Sequence, residues 1–230
     1  PARVWGVRML VSDQAKFVFV HVQKTAGISM ETVLKEHFPD LRQWHGRHGH
    51  ASDAIAEWGR DRWDGYYSFA FVRNPWERLV SWYAMIRARQ EGKLIHMPWP
   101  FNRQPRVWSQ VARKGKTFEQ FLEHCTDEVF DRGCWKSFAY NQVDYLTDDK
   151  GGIVVDTVGR FETIGEDSRE IFRRLGIDAV LPSRNTSKHG HYSDWYDDRT
   201  EALVRERFAK DIEAFGYEFD RPPRSDTAVA

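Results

Sequence analysis

The sequence has few cysteines, no net charge and no long apolar run, and each of these absences excludes a class of protein. Its 230 residues include only two cysteines, Cys125 and Cys134, which are too few for a disulfide framework or a cysteine-rich zinc site. They could pair across a short loop or remain free thiols. Basic and acidic side chains number 34 each, so a broad electrostatic grip on DNA or RNA is not expected. No apolar stretch approaches the ~20 residues of a membrane span, so we expect no span.

The length of the chain suits one domain with its own core. Residues 1–220 are predicted to form it. Pro222-Pro223 and the polar residues around them indicate a flexible tail over residues 221–230.

Strand and helix patterns alternate along the chain. Apolar runs at residues 17–22 and 66–72 are typical of strands buried on both faces. A third strand is expected within residues 152–161, a helix over 164–175, and further helices between 194 and 215. The alternation predicts an α/β fold: a single domain with a mainly parallel central sheet flanked by helices.

The first strand leads through a glycine-containing turn into a helix, a P-loop-like arrangement. Such a turn presents backbone N–H groups and a partial positive charge, which favour phosphate. Lys24 adds a cation, and the hydroxyls of Thr25 and Ser29 can donate hydrogen bonds. The nucleotide-triphosphatase motif is absent, because Lys24 precedes Gly27 instead of following it. The sequence therefore predicts an anion-binding loop of another kind.

A second candidate anion site follows the second strand. Arg73 lies at the strand end, where open parallel sheets bind ligands, and Asn74 is a good N-cap for the next helix. Ser81 lies two turns further on, on the same helix face as Asn74. The arginine and the hydroxyl could hold a second phosphate. Alternatively, the arginines of this segment form structural ion pairs with Glu31 or Glu77.

Two loops carry further polar residues. His45, His48 and His50 lie close together in the sequence, but no nearby carboxylate or cysteine completes a ligand set, so no metal is predicted.

Prolines and aromatic residues interrupt the alternation of strands and helices between residues 94 and 108. This segment could be a flap that binds a substrate or a variable surface loop.

The residues from Phe19 to Ser29 (FVHVQKTAGIS) and from Phe71 to Tyr83 (FVRNPWERLVSWY) together resemble the carbohydrate sulfotransferases. The greatest resemblance is to the heparan sulfate and uronyl 2-O-sulfotransferases and their bacterial relatives. It implies that the first segment is a 5′-phosphosulfate loop and the second a 3′-phosphate segment. The implied donor is 3′-phosphoadenosine 5′-phosphosulfate (PAPS). Gln23 departs from the proline that many members carry before the lysine.

The resemblance also implies roles for individual residues. Lys24 would offset charge on the leaving phosphate, and Arg73 and Ser81 would hold the 3′-phosphate. The 5′-phosphate would be bound by the backbone of Thr25, Ala26, Gly27, Ile28 and Ser29.

Two shorter segments also resemble the family. The stretch from His48 to His50 resembles a His-Gly-His segment, which makes His50 the catalytic base and His48 a supporting residue; an imidazole suits that role near neutral pH. The stretch from Arg184 to Lys188 resembles a late segment that closes over the 3′-phosphate and adenine, and a solvated basic turn is the alternative. It places Arg184, Thr186 and Ser187 at the donor.

The function expected from the sequence is sulfuryl transfer from PAPS to a hydroxyl of an acceptor, with a carbohydrate favoured and Arg103 and Arg106 among the residues that bind it. A glycolipid, a small natural product or a tyrosine would also fit. A nucleotide-dependent kinase and a non-catalytic glycan- or nucleotide-binding module are the alternatives. Because animal members have a membrane stem that this sequence lacks, we expect a cytoplasmic bacterial enzyme; a lumenal Golgi domain trimmed of its stem is the alternative.

Overall fold

The computed structural model describes residues 8–44, 49–92, 105–131, 134–182 and 190–221. The strands in these ranges are β1 (Arg8–Ser12), β2 (Phe17–His21), β3 (Arg42–Trp44), β4 (Tyr67–Val72), β5 (Val129–Asp131), β6 (Cys134–Lys136) and β7 (Thr157–Arg160). The α-helices are α1 (Gly27–His37), α2 (Ala51–Trp58), α3 (Arg60–Asp64), α4 (Pro75–Gln90), α5 (Trp108–Lys114), α6 (Phe118–His124), α7 (Ile164–Arg174), α8 (Asp198–Arg207) and α9 (Ala209–Phe215). Short 3-10 helices cover Val143–Tyr145 and Tyr192–Trp195.

The central sheet is mixed, which corrects the expectation of a mainly parallel sheet. Its strand order is β3-β1-β2-β4-β7. The pairs β2–β4 and β4–β7 are parallel, whereas β1 pairs antiparallel with both β2 and β3. The α/β class is confirmed, because helices flank this sheet within one domain. A separate two-stranded antiparallel sheet is formed by β5 and β6.

The two central strands separate two parts of the core. Alternate side chains of a strand point to opposite faces of the sheet, and both faces of β2 and β4 are buried. One face packs with α2 and the 3-10 helix at Val143–Tyr145, and the other packs with α1 and α7. The first face carries Val18, Val20, Ala70 and Val72, and the second carries Phe17, Phe19, Phe69 and Phe71.

The helix that follows β4 begins where the sequence predicts. The Asn74 side chain accepts hydrogen bonds from the backbone N–H groups of Trp76 and Glu77, so it caps α4. The predicted helices at 164–175 and between 194 and 215 are confirmed as α7, α8 and α9. The third strand is shorter than its predicted range, because Asp156 pairs with Ser68 through side-chain hydrogen bonds instead of extending β7.

A third, aromatic-rich part of the core joins α4, α5, α6 and α8. Cys125 lies there as a buried free thiol, and burial raises its pKa to about 11. Among the described helices, none has the length and apolar character needed to cross a membrane.

Candidate functional site

The loop between β2 and α1 has an unusual backbone conformation. Lys24 and Ala26 have φ angles of 70° and 60°, in the left-handed region that normally favours glycine. Such backbone strain is concentrated at ligand sites, and left-handed residues help to build concave groups of N–H donors that bind anions. Residues 22–26 are called the anion loop below.

The six backbone N–H groups from Lys24 to Ser29 form no hydrogen bond of good geometry with the described part of the chain. The first helical bond joins Met30 N–H to the Ala26 carbonyl at 3.1 Å. A helix N-terminus with free N–H groups favours an anion. This stretch is therefore a strong candidate for phosphate binding.

Buried arginines hold the carbonyls of the same loop. Nε of Arg78 donates to the Gln23 carbonyl at 3.1 Å, and Nη1 of Arg73 donates to the Lys24 carbonyl at 3.3 Å. In a planar trans peptide, the N–H points away from the carbonyl. The two arginines therefore lie on the carbonyl side of these peptides, and the N–H groups of Lys24 and Thr25 point away from the arginines.

Gly27 is required by close packing. A Cβ at this position would overlap the ring of His21, which stacks on Phe19 with ring centroids 5.7 Å apart. The start of α1 can therefore approach the end of β2 only with glycine here.

The hydroxyl of Thr25 points into the protein. Thr25 is fully buried, and its Oγ1 donates to the Val22 carbonyl at 2.8 Å. In this conformation the hydroxyl fixes the shape of the loop and is not free to donate to phosphate, so an anion would meet its backbone N–H. Ser29 is buried nearby in α1, whereas Ile28 is exposed.

The ammonium group of Lys24 lies in largely apolar surroundings. Its Nζ is 3.4 Å from Sδ of Met85 and 5.6 Å from the ring centroid of Trp82. No carboxylate within the described ranges forms an ion pair with it. Burial, reinforced by the nearby charge of Arg73, lowers the pKa of Lys24 to about 7. A bound anion would stabilise its charged form.

Arg73 joins the second predicted segment to the anion loop. It is 5% exposed, and besides Lys24 it contacts Glu77 (Nη2 to Oε1, 2.7 Å) and Phe161 (guanidinium to ring centroid, 3.9 Å). The structural ion pair with Glu77 considered above is therefore present. In the described part of the chain, the buried Nε of Arg73 has no hydrogen-bond partner. Ser81 is buried two turns into α4.

His50 lies at the N-terminus of α2 and is linked to the anion loop through the segment of residues 140–145. Its ring packs edge-to-face on Tyr145, with centroids 4.5 Å apart. The same segment includes Tyr140, whose carbonyl accepts a hydrogen bond from Nη1 of Arg78 at 3.1 Å. His50 is thus connected through this segment to the arginine that holds the Gln23 carbonyl.

Of the remaining predicted site residues, the structure describes only Arg106. Arg106 is exposed on the turn before α5, where Trp108 packs on Trp82 at 6.4 Å. No group of side chains suited to a metal occurs among the described residues. His48, Arg103, Arg184, Thr186 and Ser187 lie outside the described residues.

Sequence reasoning missed three buried residues that support the site. Arg78 lies within the second motif, and the signal that could identify it is an arginine on the buried face of a helix, which indicates a structural contact. Gln142 and Asp211 are fully buried and hydrogen-bonded to each other at 3.1 Å. No local pattern signals either residue, because each contact spans 68 residues or more of sequence.

Residues 7–218 match the model of the sulfotransferase family. Carbohydrate sulfotransferase 11 of Rattus norvegicus is 31% identical over 140 residues, which are 58% of this chain and 39% of that protein. Carbohydrate sulfotransferase 10 of Xenopus laevis is 24% identical over 246 residues, covering 91% of this chain and 67% of that protein. An uncharacterized protein of Archaeoglobus fulgidus is 24% identical over 135 residues, or 58% of this chain and 88% of that protein. No solved structure gives a significant match.

Proposed function

Because the chain belongs to the sulfotransferase family, we propose that it transfers a sulfuryl group from PAPS to a hydroxyl of an acceptor, with a carbohydrate favoured. The names of the relatives from Rattus norvegicus and Xenopus laevis support the choice of a carbohydrate. The chain spans less than half the length of the rat relative, so the activity and the acceptor are proposals for this protein.

One observation carries the proposal: six N–H groups from Lys24 to Ser29, which have no hydrogen-bond partner among the described residues, lie beside Arg73. A donor with a 5′-phosphosulfate and a 3′-phosphate needs two anion-binding groups close together. The anion loop and α1 supply one, and Arg73 with Ser81 supplies the other. The ion pair with Glu77 holds the Arg73 guanidinium in place, and among the described residues no acceptor occupies its buried Nε.

The proposed chemistry divides the reaction among three groups of residues. The backbone of residues 25–29 holds the 5′-phosphate, and Lys24 offsets the negative charge that builds on the bridging oxygen as the sulfur–oxygen bond of the donor breaks. His50 takes the proton of the acceptor hydroxyl as the new sulfur–oxygen bond forms. Positioning and electrostatic stabilisation supply most of the rate enhancement. These residues provide the charge stabilisation themselves, so the proposal includes no metal.

The remaining sequence predictions stay predictions. Arg184, Thr186 and Ser187 are proposed to contact the donor, and His48, Arg103 and Arg106 the acceptor. A cytoplasmic location and a bacterial source are also predictions.

Turnover with radiolabelled PAPS and a panel of glycans, a tyrosine peptide and a glycolipid tests the proposal. We expect label on a glycan, and we expect Lys24→Ala and His50→Ala to lower turnover by ~10² or more. Lys35→Ala, on the exposed end of α1, is the control and should retain full activity. Near-normal turnover in His50→Ala would contradict the assignment of the base. Phosphoryl transfer from ATP with Mg²⁺, without sulfuryl transfer, would favour the kinase alternative.

A further inference from the structure

Gln142 is a completely buried side chain that pairs with the backbone of Arg73. Its Oε1 accepts from the Arg73 N–H at 2.9 Å, and its Nε2 donates to the Arg73 carbonyl at 2.7 Å and to Oδ2 of Asp211 at 3.1 Å. A flipped amide would place its NH₂ against the Arg73 N–H, so only this orientation satisfies every group. The side chain thus replaces a neighbouring strand just beyond the end of β4.

Asp211 extends this pairing into a buried network. It is fully buried in α9, and its Oδ1 accepts from the Val143 N–H at 2.9 Å. Burial raises the pKa of Asp211, and the nearby charge of Arg78 opposes that shift. Arg78 in turn donates to the carbonyls of Gln23 and Tyr140. The network therefore joins Arg73, the anion loop and α9.

The segment 140–145 touches each part of the proposed site. Its first residue contacts Arg78, Gln142 holds Arg73, and Tyr145 packs against His50. Two phosphate groups and an acceptor can be aligned only if these parts keep a fixed separation. One short segment meets this requirement for all three.

We propose that Gln142 is a positioning residue that fixes the backbone of Arg73 relative to the anion loop and His50. The inference rests on the proposed function and adds to it a residue that touches neither donor nor acceptor. It acts through Arg73, whose guanidinium would move if the end of β4 lost its partner. Loss of Gln142 should therefore weaken donor binding beyond any effect on stability.

Two substitutions and a matched control test the role. Gln142→Met keeps the length of the side chain and removes all three hydrogen bonds. Gln142→Asn keeps a neutral amide but shortens the side chain by one methylene, so it cannot reach Arg73 and Asp211 together, and it covers the case in which the first variant does not fold. Asn141→Ala is the control, because Asn141 ties the same segment to the Arg207 carbonyl and the Asp211 N–H without touching Arg73.

The first readout is calorimetric affinity for 3′-phosphoadenosine 5′-phosphate, compared between variants of matched thermal stability. We expect Gln142→Met and Gln142→Asn to bind roughly tenfold more weakly or worse, as loss of one or more hydrogen bonds implies, and Asn141→Ala to bind as wild type. In turnover, KM for PAPS should rise more than KM for the acceptor. Wild-type affinity in both Gln142 variants, or an equal loss in Asn141→Ala, would overturn the proposal.

A second readout separates this inference from the proposed function. Hydrogen exchange at the Arg73 N–H, followed by NMR without ligand, should be slow in wild type and faster in the Gln142 variants. If wild type does not bind the bisphosphate, the proposed function fails, whereas unchanged exchange at Arg73 would overturn the role of Gln142 alone.

Discussion

Lys24 places a basic group in surroundings that disfavour its charge when no ligand is bound. Its ammonium lies beside Met85 and Trp82, and its pKa is lowered to about 7. The neighbouring N–H groups favour an anion, which would stabilise the charged lysine. Binding of the anion and of a proton should therefore be linked.

We predict that binding of 3′-phosphoadenosine 5′-phosphate at pH 8 takes up a proton. Burial lowers the pKa of Lys24 to about 7 in the free protein and bound phosphates should raise it, so the affinity should fall as the pH rises above 7, by at most ~tenfold per pH unit. Calorimetry in two buffers with different ionisation enthalpies measures the uptake. Lys24→Arg, which stays charged, should show none. Identical binding heats for the wild type in both buffers would rule out the linkage.

Gly27 offers a prediction about packing. Gly27→Ala should cost about 1–3 kcal/mol of unfolding free energy, because the new methyl overlaps the His21 ring. Adding His21→Ala should relieve that overlap, so the double variant should be more stable than the sum of the two single effects predicts. Urea unfolding measures the cycle, and simple additivity within ~0.5 kcal/mol would contradict it. Gly165→Ala, where a Cβ meets no atom within 4 Å, is the control.

At the scale of the element, the N-terminus of α4 orders the segment that carries Arg73. Asn74 accepts from two backbone N–H groups, and its Nδ2 donates to the Glu218 carbonyl at 3.0 Å. Asn74→Ala should cost about 1–2 kcal/mol, as loss of a cap does. Asn74→Asp keeps the cap acceptor and should cost less. Equal loss in both, measured by urea unfolding, would show that the link to Glu218 matters more than the cap.

The elements next to the site were predictable because their signals are local. The apolar runs of β2 and β4 and the cap at Asn74 lie in short windows of sequence. The antiparallel side of the sheet was not predictable in this way. The strand β1 has only a short apolar run, Met9–Val11, and β3 is the three-residue stretch Arg42–Trp44. Their pairing with the rest of the sheet is a long-range event, so the expected parallel sheet proved to be mixed.

The residues of the candidate site were likewise predictable only where their sequence signals are local. Lys24, Gly27 and Arg73 could be chosen from sequence because each lies where a strand meets a helix. The inward-pointing hydroxyl of Thr25 was not foreseen, since it depends on the three-dimensional course of the loop. The contact between Gln142 and Arg73 spans 69 residues, and no sequence window contains both.

At the scale of the whole molecule, two distant parts of the chain form the proposed donor site and a third part supports them. The anion loop follows β2, Arg73 follows β4, and the network that holds them extends to α9. A ligand that bridges these parts should stabilise the whole fold, by about 2.7 kcal/mol at a concentration 100 times its Kd. Affinity for a bisphosphate nucleotide is therefore the quantity on which the account depends.

Calorimetric titration with 3′-phosphoadenosine 5′-phosphate, alongside ATP with Mg²⁺, is the most direct test. The account predicts clear preference for the bisphosphate, and a marked loss of that affinity in Arg73→Lys, which keeps the charge but cannot make the same paired contacts. Tighter binding of ATP with Mg²⁺, or no binding of either nucleotide, would contradict it.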